Sequence, residues 1–156
     1  MNILKLELTH FGKFHLKTIT FTSGLNIVYG KNEAGKSTIH AFVRSMLFGI
    51  PDTEEGNERY SHYLPWETPH DFCGRMWIKK DDKVYRIERN FLRPQPTVRV
   101  FDDETGESLQ PAKQHLRQIL SGLTETSYLN TICIEQLKSA TDPQLAKELE
   151  DMAVNA

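Results

Sequence analysis

Nine consecutive residues, Gly30-Lys31-Asn32-Glu33-Ala34-Gly35-Lys36-Ser37-Thr38, satisfy the pattern G-x-x-x-x-G-K-[ST] without a mismatch. This pattern constrains the chain strongly, because it works in one local context: a strand ahead of it and a helix behind it. Both are legible here. Residues 25–29 (LNIVY) form a β-rich run that stops at Gly30. After Ser37 the period changes, and Ile39, Phe42, Val43, Met46 and Leu47 recur at helical spacing until Gly49 and Pro51 end the pattern. The spacing has a mechanical reason. Gly30 and Gly35 let the backbone turn tightly, so that successive N–H groups point inward at phosphate oxygens. A helix expected to begin at Lys36-Ser37 adds its positive end to the same place. Lys36 reaches the β/γ oxygens, and the Ser37 hydroxyl ligates Mg²⁺. The whole run, with Lys31, Asn32, Glu33, Ala34 and Thr38, is therefore the candidate nucleotide-binding loop. A guanine-specific N-K-x-D is absent, which favours ATP over GTP.

Around this loop the periodicities outline an α/β chain. Residues 2–8 and 16–21 alternate as strands, joined through His10-Phe11-Gly12-Lys13-Phe14 with its turn glycine. Residues 51–70, rich in Pro, Glu and Tyr without a period, read as a loop. Residues 72–80, 83–91 and 97–101 read as three strands, the first pair turning at Asp81-Asp82. Helical spacing resumes with Leu116, Ile119, Leu120 and Leu123, and again near residues 128–134. After Thr141-Asp142-Pro143, Leu145, Leu149 and Met152 lie on one helical face, and the sequence stops about two turns into that pattern.

The strand NIVYG followed by KNEAGKST, with the early strand and FGKF turn, resembles the head domain of the SMC-like ATPases. Its nearest likeness within that group is to the N-terminal part of SbcC-type and YhaN-like AAA-class chains. The resemblance implies an α/β P-loop NTPase fold of the ABC/SMC type, a head lobe with a mixed central sheet and an antiparallel β layer over residues 72–101. It implies residues 1–140 as the N-terminal half of the head and 141–156 as the start of a truncated coiled-coil helix. Tyr128-Leu129-Asn130-Thr131-Ile132-Cys133-Ile134-Glu135-Gln136 looks like the family's glutamine loop. Gln136 is then the residue that ligates Mg²⁺ and orients the attacking water, catalytic beside Lys36. Lys13, in the FGKF turn, resembles a family basic residue that approaches the nucleotide. ATP and Mg²⁺ are the implied cofactors. The implied partners are the C-terminal half of the same head, a second head engaged through ATP, duplex DNA and a nuclease subunit.

Two look-alikes are refused. Val98-Arg99-Val100-Phe101-Asp102-Asp103-Glu104 imitates a Walker B strand, but Arg99 interrupts the apolar run and the acids lead into Thr105-Gly106, as a hairpin turn would. Leu120-Ser121-Gly122 imitates a signature motif, but Leu123 replaces the second glycine. A catalytic carboxylate is thus missing from the chain. Two other readings stay open: a small P-loop kinase or transferase, and a non-catalytic module that uses nucleotide only to dimerise.

Composition narrows the setting. A chain of 156 residues has room for one ordinary domain, and its net charge of −2 excludes a wholesale polyanion binder. Residues 75–99 are nevertheless locally basic, with eight Lys/Arg against three Asp/Glu. Arg75, Lys79, Lys83, Arg86 and Arg89 could form a face that tracks phosphates, or the solvated side of a hairpin. His62, His70 and Cys73 match no zinc spacing. No apolar run approaches the roughly 20 residues of a membrane span. Cys73 and Cys133 lie far apart and read as free thiols of a reducing compartment, so the expectation is a soluble cytoplasmic chain with no membrane partner.

Overall fold

The computed structural model describes residues 1–21 and 38–127, together with the backbone of residues 33–37. The strand expected at 25–29, the glutamine loop and the final helix lie outside the described residues. Two long strands open the chain, β1 (Asn2–Phe11) and β2 (Phe14–Thr20). The helix α1 (Glu33–Phe48) and a second helix α2 (Glu54–Tyr63) follow. A meander comes next, β3 (Cys73–Lys80), β4 (Lys83–Asn90), β5 (Thr97–Asp102) and the short β6 (Ser108–Leu109). It leads to α3 (Ala112–Leu120) and a helical turn at Glu125–Ser127.

All six strands belong to one antiparallel sheet in the order β2-β1-β3-β4-β5-β6. Among the described residues the 72–101 strands are therefore continuous with the N-terminal hairpin and not a separate antiparallel layer, while the strand expected at 25–29, on which a mixed sheet depends, lies outside them. β1 pairs with β2 on one side and with β3 on the other, so the N-terminal hairpin and the 73–102 meander are one surface. Strand periodicity reports which residues face inward, not which strand pairs with which, and the β1–β3 junction was therefore invisible in it. The Asp81-Asp82 turn is as expected: both residues have positive φ, the backbone of a two-residue hairpin loop whose twist suits the strands.

One face of the sheet is apolar and the other is charged. Ile3, Leu6, Leu8, Ile19, Met76, Ile78, Ile87 and Val100 are buried, and against them lies the α1 stripe read from the sequence: Ile39, Phe42, Val43, Met46 and Leu47. Phe42 sets the closest approach. Its ring occupies the space above Gly74, where an added Cβ would overlap it. Arg89 closes the other end of α1. Its Nε donates to the Met46 carbonyl at 2.7 Å, satisfying a helix-terminal acceptor. Burial lowers this guanidinium from its usual value to about 10. Lys80 does the same for α3, its Nζ donating to the Gln118 and Ile119 carbonyls at 2.8 Å each.

The helix α2 replaces the loop expected at residues 51–70. Its only buried residues are Gly56 and Arg59, so there was no apolar stripe to find. It starts at a cap, where the Thr53 Oγ1 accepts from the Gly56 N–H at 3.0 Å and Glu54 and Glu55 occupy the positive first turn, and it packs through the half-buried rings of Tyr60 and Tyr63 against Phe72 and Phe11. Thr53-Glu54-Glu55 was the available signal.

Arg75, Lys79, Lys83, Arg86 and Arg89 of the meander do not share a face. Met76 and Ile87 are register partners on the apolar side, so Arg75, Lys79 and Arg86 point to the opposite, outer side, whereas Lys83 and Arg89 have inner parity. The outer arginines are paired already. Arg75 Nε lies 3.5 Å from Glu7 and 3.7 Å from Glu88, and Arg86 meets Glu88 at 2.8 Å and Asp103 at 3.3 Å. The Trp77 Nε1 donates to Asp103 at 3.1 Å under the Lys5 ammonium, and Arg86 and Arg99 cover the Phe101 ring.

Replacing Gly74 by Ala forces the Phe42 ring off the sheet, and should destabilise the chain by about 1–3 kcal/mol in urea unfolding, with unchanged m-value. A second expectation concerns His40 on α1. Its Nε2 is buried with no hydrogen-bond partner among the described residues, and burial first, then the Arg44 charge, lowers its pKa below 6.5. The unfolded chain takes up this proton with ordinary affinity while the folded chain resists it, so His40 stabilises above pH 6.5 and that contribution is lost as the pH falls below it. Unfolding free energies measured from pH 7.5 to 5 should fall less steeply for His40→Gln than for the parent chain.

Candidate nucleotide-binding site

The backbone of α1 begins at Glu33, ahead of the start expected at Lys36-Ser37. The difference moves Lys36 and Ser37 from the helix start to the end of its first turn. The first four N–H groups of a helix have no intrahelical acceptor, so those of Glu33 through Lys36 remain available to an anion. Of the motif, Gly30, Lys31 and Asn32 lie outside the described residues, as do the side chains of Glu33, Ala34, Lys36 and Ser37. Gln136 lies outside them too. Thr38 is the one motif residue whose side chain is described.

Part of what surrounds Thr38 is described. The turn between β1 and β2 brings Gly12, at φ +59°, against it: a Cβ on Gly12 would stand 3.4 Å from the Thr38 Cγ2 and 3.3 Å from the Tyr63 Cδ1. Only glycine meets both the backbone angle and the contact without strain. The Gly12 N–H donates to the Tyr63 carbonyl at 2.6 Å, and the Tyr63 ring stacks on Phe11. The hairpin tip and the end of α2 are thereby joined beside the motif's last residue. Lys13 follows Gly12 in this turn and is exposed. Lys13 is thus the chain neighbour of the glycine whose Cβ position faces Thr38.

Farther along α1 a charge cluster ties three segments together. Arg59 of α2 is only 5% exposed, and it donates to the Ser45 Oγ at 3.1 Å and to Glu55 at 3.3 Å. Arg44 bonds Glu55 at 3.0 Å, and its Nε bonds Glu125. Two guanidiniums and two carboxylates thus balance, although burial and then the neighbouring Arg44 charge lower the Arg59 pKa. Glu125 carries this anchor close to the start of the segment that leads to Gln136. Sequence reading missed the cluster, since Arg44 and Glu125 are 81 positions apart and share no periodic pattern.

The two look-alike motifs have structural roles of another kind. The Asp102 carboxylate accepts from the Glu104 and Thr105 N–H groups at 3.0 and 3.2 Å, fastening the β5–β6 turn. Ser121 and Gly122 both have positive φ and terminate α3, the Ser121 N–H donating to the Arg117 carbonyl at 3.0 Å. Among the described residues no three His, Cys, Asp or Glu side chains are grouped to hold a metal ion. None of the described helices is long and apolar enough to cross a membrane.

Comparison with known proteins gives a consistent answer. Over 56 residues, 35% of this chain, the sequence is 43% identical to the uncharacterized protein YhaN of Bacillus subtilis (strain 168). Over 146 residues, 87% of this chain, it is 26% identical to the DNA double-strand break repair Rad50 ATPase of Thermococcus kodakarensis. The matched regions span 6% and 15% of the lengths of those two relatives. The family described as the AAA domain matches residues 1–142, which takes in both strands of the hairpin, the phosphate motif, the meander and the segment through Gln136. The chain belongs to the AAA domain family, as an SMC-like AAA ATPase N-terminal domain.

Proposed function

We propose that this chain is the ATP-binding N-terminal half of an SMC-like ATPase head with the ABC/SMC type of fold. The observation that carries the reading is the complete motif at residues 30–38 opening α1, in a chain of the AAA domain family. In this reading the backbone N–H groups of the loop and of the first turn of α1 cradle the phosphates. Lys36 neutralises the β/γ oxygens and Ser37 holds Mg²⁺. Lys13, next to Gly12 in the β1–β2 turn, supplies a second cation to the same phosphates. Gln136 completes the metal shell and orients water, and the Arg44–Glu125 bond anchors the segment that leads to it.

The larger protein hydrolyses ATP where two heads meet. Its C-terminal half supplies the signature motif and the catalytic carboxylate, and residues 141–156 begin the connecting coiled coil. The likeness to a double-strand-break repair ATPase supports a role on duplex DNA in concert with a nuclease subunit. On the charged sheet face, Lys79 and Arg99 are better placed for such a contact than Arg75 and Arg86, which carboxylates already engage.

Calorimetry on the 156-residue chain should detect Mg-ATP binding in the parent and none in Lys36→Ala, with unchanged circular dichroism. Turnover by the chain alone should stay near background, because a catalytic carboxylate and a second head are both needed. Gln136→Ala should leave binding intact and impair hydrolysis once the C-terminal half is added in trans. Robust turnover by these residues alone would overturn the half-head reading.

A further inference from the structure

The β1–β2 hairpin carries two of the chain's six histidines directly opposite each other. His10 and His15 are register partners, one step back from the Gly12-Lys13 turn, and such partners project from the same face with Cβ atoms about 5 Å apart. Phe11, the next residue of β1, is buried, so the two imidazoles stand on the outer face of the sheet. Their Nδ1 atoms are 3.2 Å apart, and the rings meet edge to face with centroids 5.4 Å apart. On the far side of His15, the Glu67 Oε2 lies 3.9 Å from Nε2.

These distances bear on where the protons sit. A single proton serves the contact between the two Nδ1 atoms, so one ring donates and the other accepts. A carboxylate beside Nε2 favours the tautomer protonated there, which leaves the His15 Nδ1 as the bare lone pair. A metal-ligating histidine is oriented by a carboxylate in the same way. The spacing fits as well: two nitrogens about 2.0–2.1 Å from one tetrahedral cation stand about 3.3 Å from each other. A small rotation of each ring about its Cβ–Cγ bond turns the Nδ1 atoms from facing one another to facing a common point beside the line that joins them. His10 then carries its proton on Nε2.

We propose that His10 and His15 form a two-histidine site for a late first-row divalent cation of the Zn²⁺ class, with solvent completing the shell and Glu67 positioning the His15 ring. Imidazole selects such ions over Mg²⁺, which prefers oxygen ligands. The site shares no residue with the phosphate motif and stands independently of the Mg-ATP reading. A cation held there links β1 to β2 beside their turn. The unfolded chain lacks the fixed spacing, so binding stabilises the folded hairpin.

Calorimetry with Zn²⁺ on the full chain, in excess Mg²⁺ to fill oxygen-lined sites, should show binding that His10→Ala and His15→Ala each weaken about ten-fold or more, and Glu67→Gln by less. His62→Ala and His115→Ala should bind as the parent does. Zn²⁺ should raise the melting temperature of the parent and leave that of the His10→Ala/His15→Ala double variant unmoved. With Cu²⁺ as the probe, electron paramagnetic resonance should show coupling to two imidazole nitrogens in the parent and to one in either single variant. The site is overturned if Zn²⁺ does not bind the parent, or if either histidine variant, folded by circular dichroism, binds Zn²⁺ as tightly as the parent.

Discussion

The packing of α1 on the sheet is the contact on which the remaining structure depends. A sheet of this kind has one face that must be covered, and among the described residues α1 covers its centre while α3 packs against β5. Phe42 fixes the depth of that contact by lying where the Gly74 side chain would be. The helix that carries the phosphate motif at one end is thus the helix that completes the core. Its far end is finished by Arg89 and its middle by Arg44 and Arg59. The sixteen residues of α1 thus carry both the end of the sequence motif and a large part of the core.

Charge is distributed by that arrangement more than by composition. The basic stretch at residues 75–99 looks uniform in the sequence, but a period of two sends Arg89 into the interior and Arg86 to the surface. Inside, a guanidinium serves helix carbonyls and is pushed down by burial. Outside, Arg75 and Arg86 are shared between Glu7, Glu88 and Asp103, and exposed pairs of this sort contribute little individually to stability. Their effect is to keep the outer sheet face polar, with Trp77 and Phe101 shielded by cations.

Much of this was legible in the sequence, for identifiable reasons. The α1 stripe, the strand alternations and the Asp81-Asp82 turn are local patterns, and each appears where its pattern placed it. The turn character of Asp102-Asp103-Glu104 was legible because Arg99 spoils a buried strand. What escaped depends on partners distant in sequence or on caps. α2 is specified by Thr53 and a buried arginine, not by apolar spacing. The β1–β3 pairing and the Arg44–Glu125 bond join positions that no periodicity connects. Of the site, Lys13 was read from resemblance alone, and the closeness of its neighbour Gly12 to Thr38 is a long-range relation that no periodicity could have given.

The pairing of β1 with β3 has a consequence for how the chain assembles. Asn2 is opposite Lys79, so every residue of the phosphate motif, α1 and α2 lies inside the loop that this ladder closes. Closing such a loop costs conformational entropy before the ladder returns any of it, which favours a slow, all-or-none collapse over stepwise growth from the N-terminus. The same cost rises only with the logarithm of loop length. Extra residues inserted between α2 and β3 would therefore tax the assembled sheet very little, and the span between hairpin and meander is where related chains can differ in length while keeping the ladder.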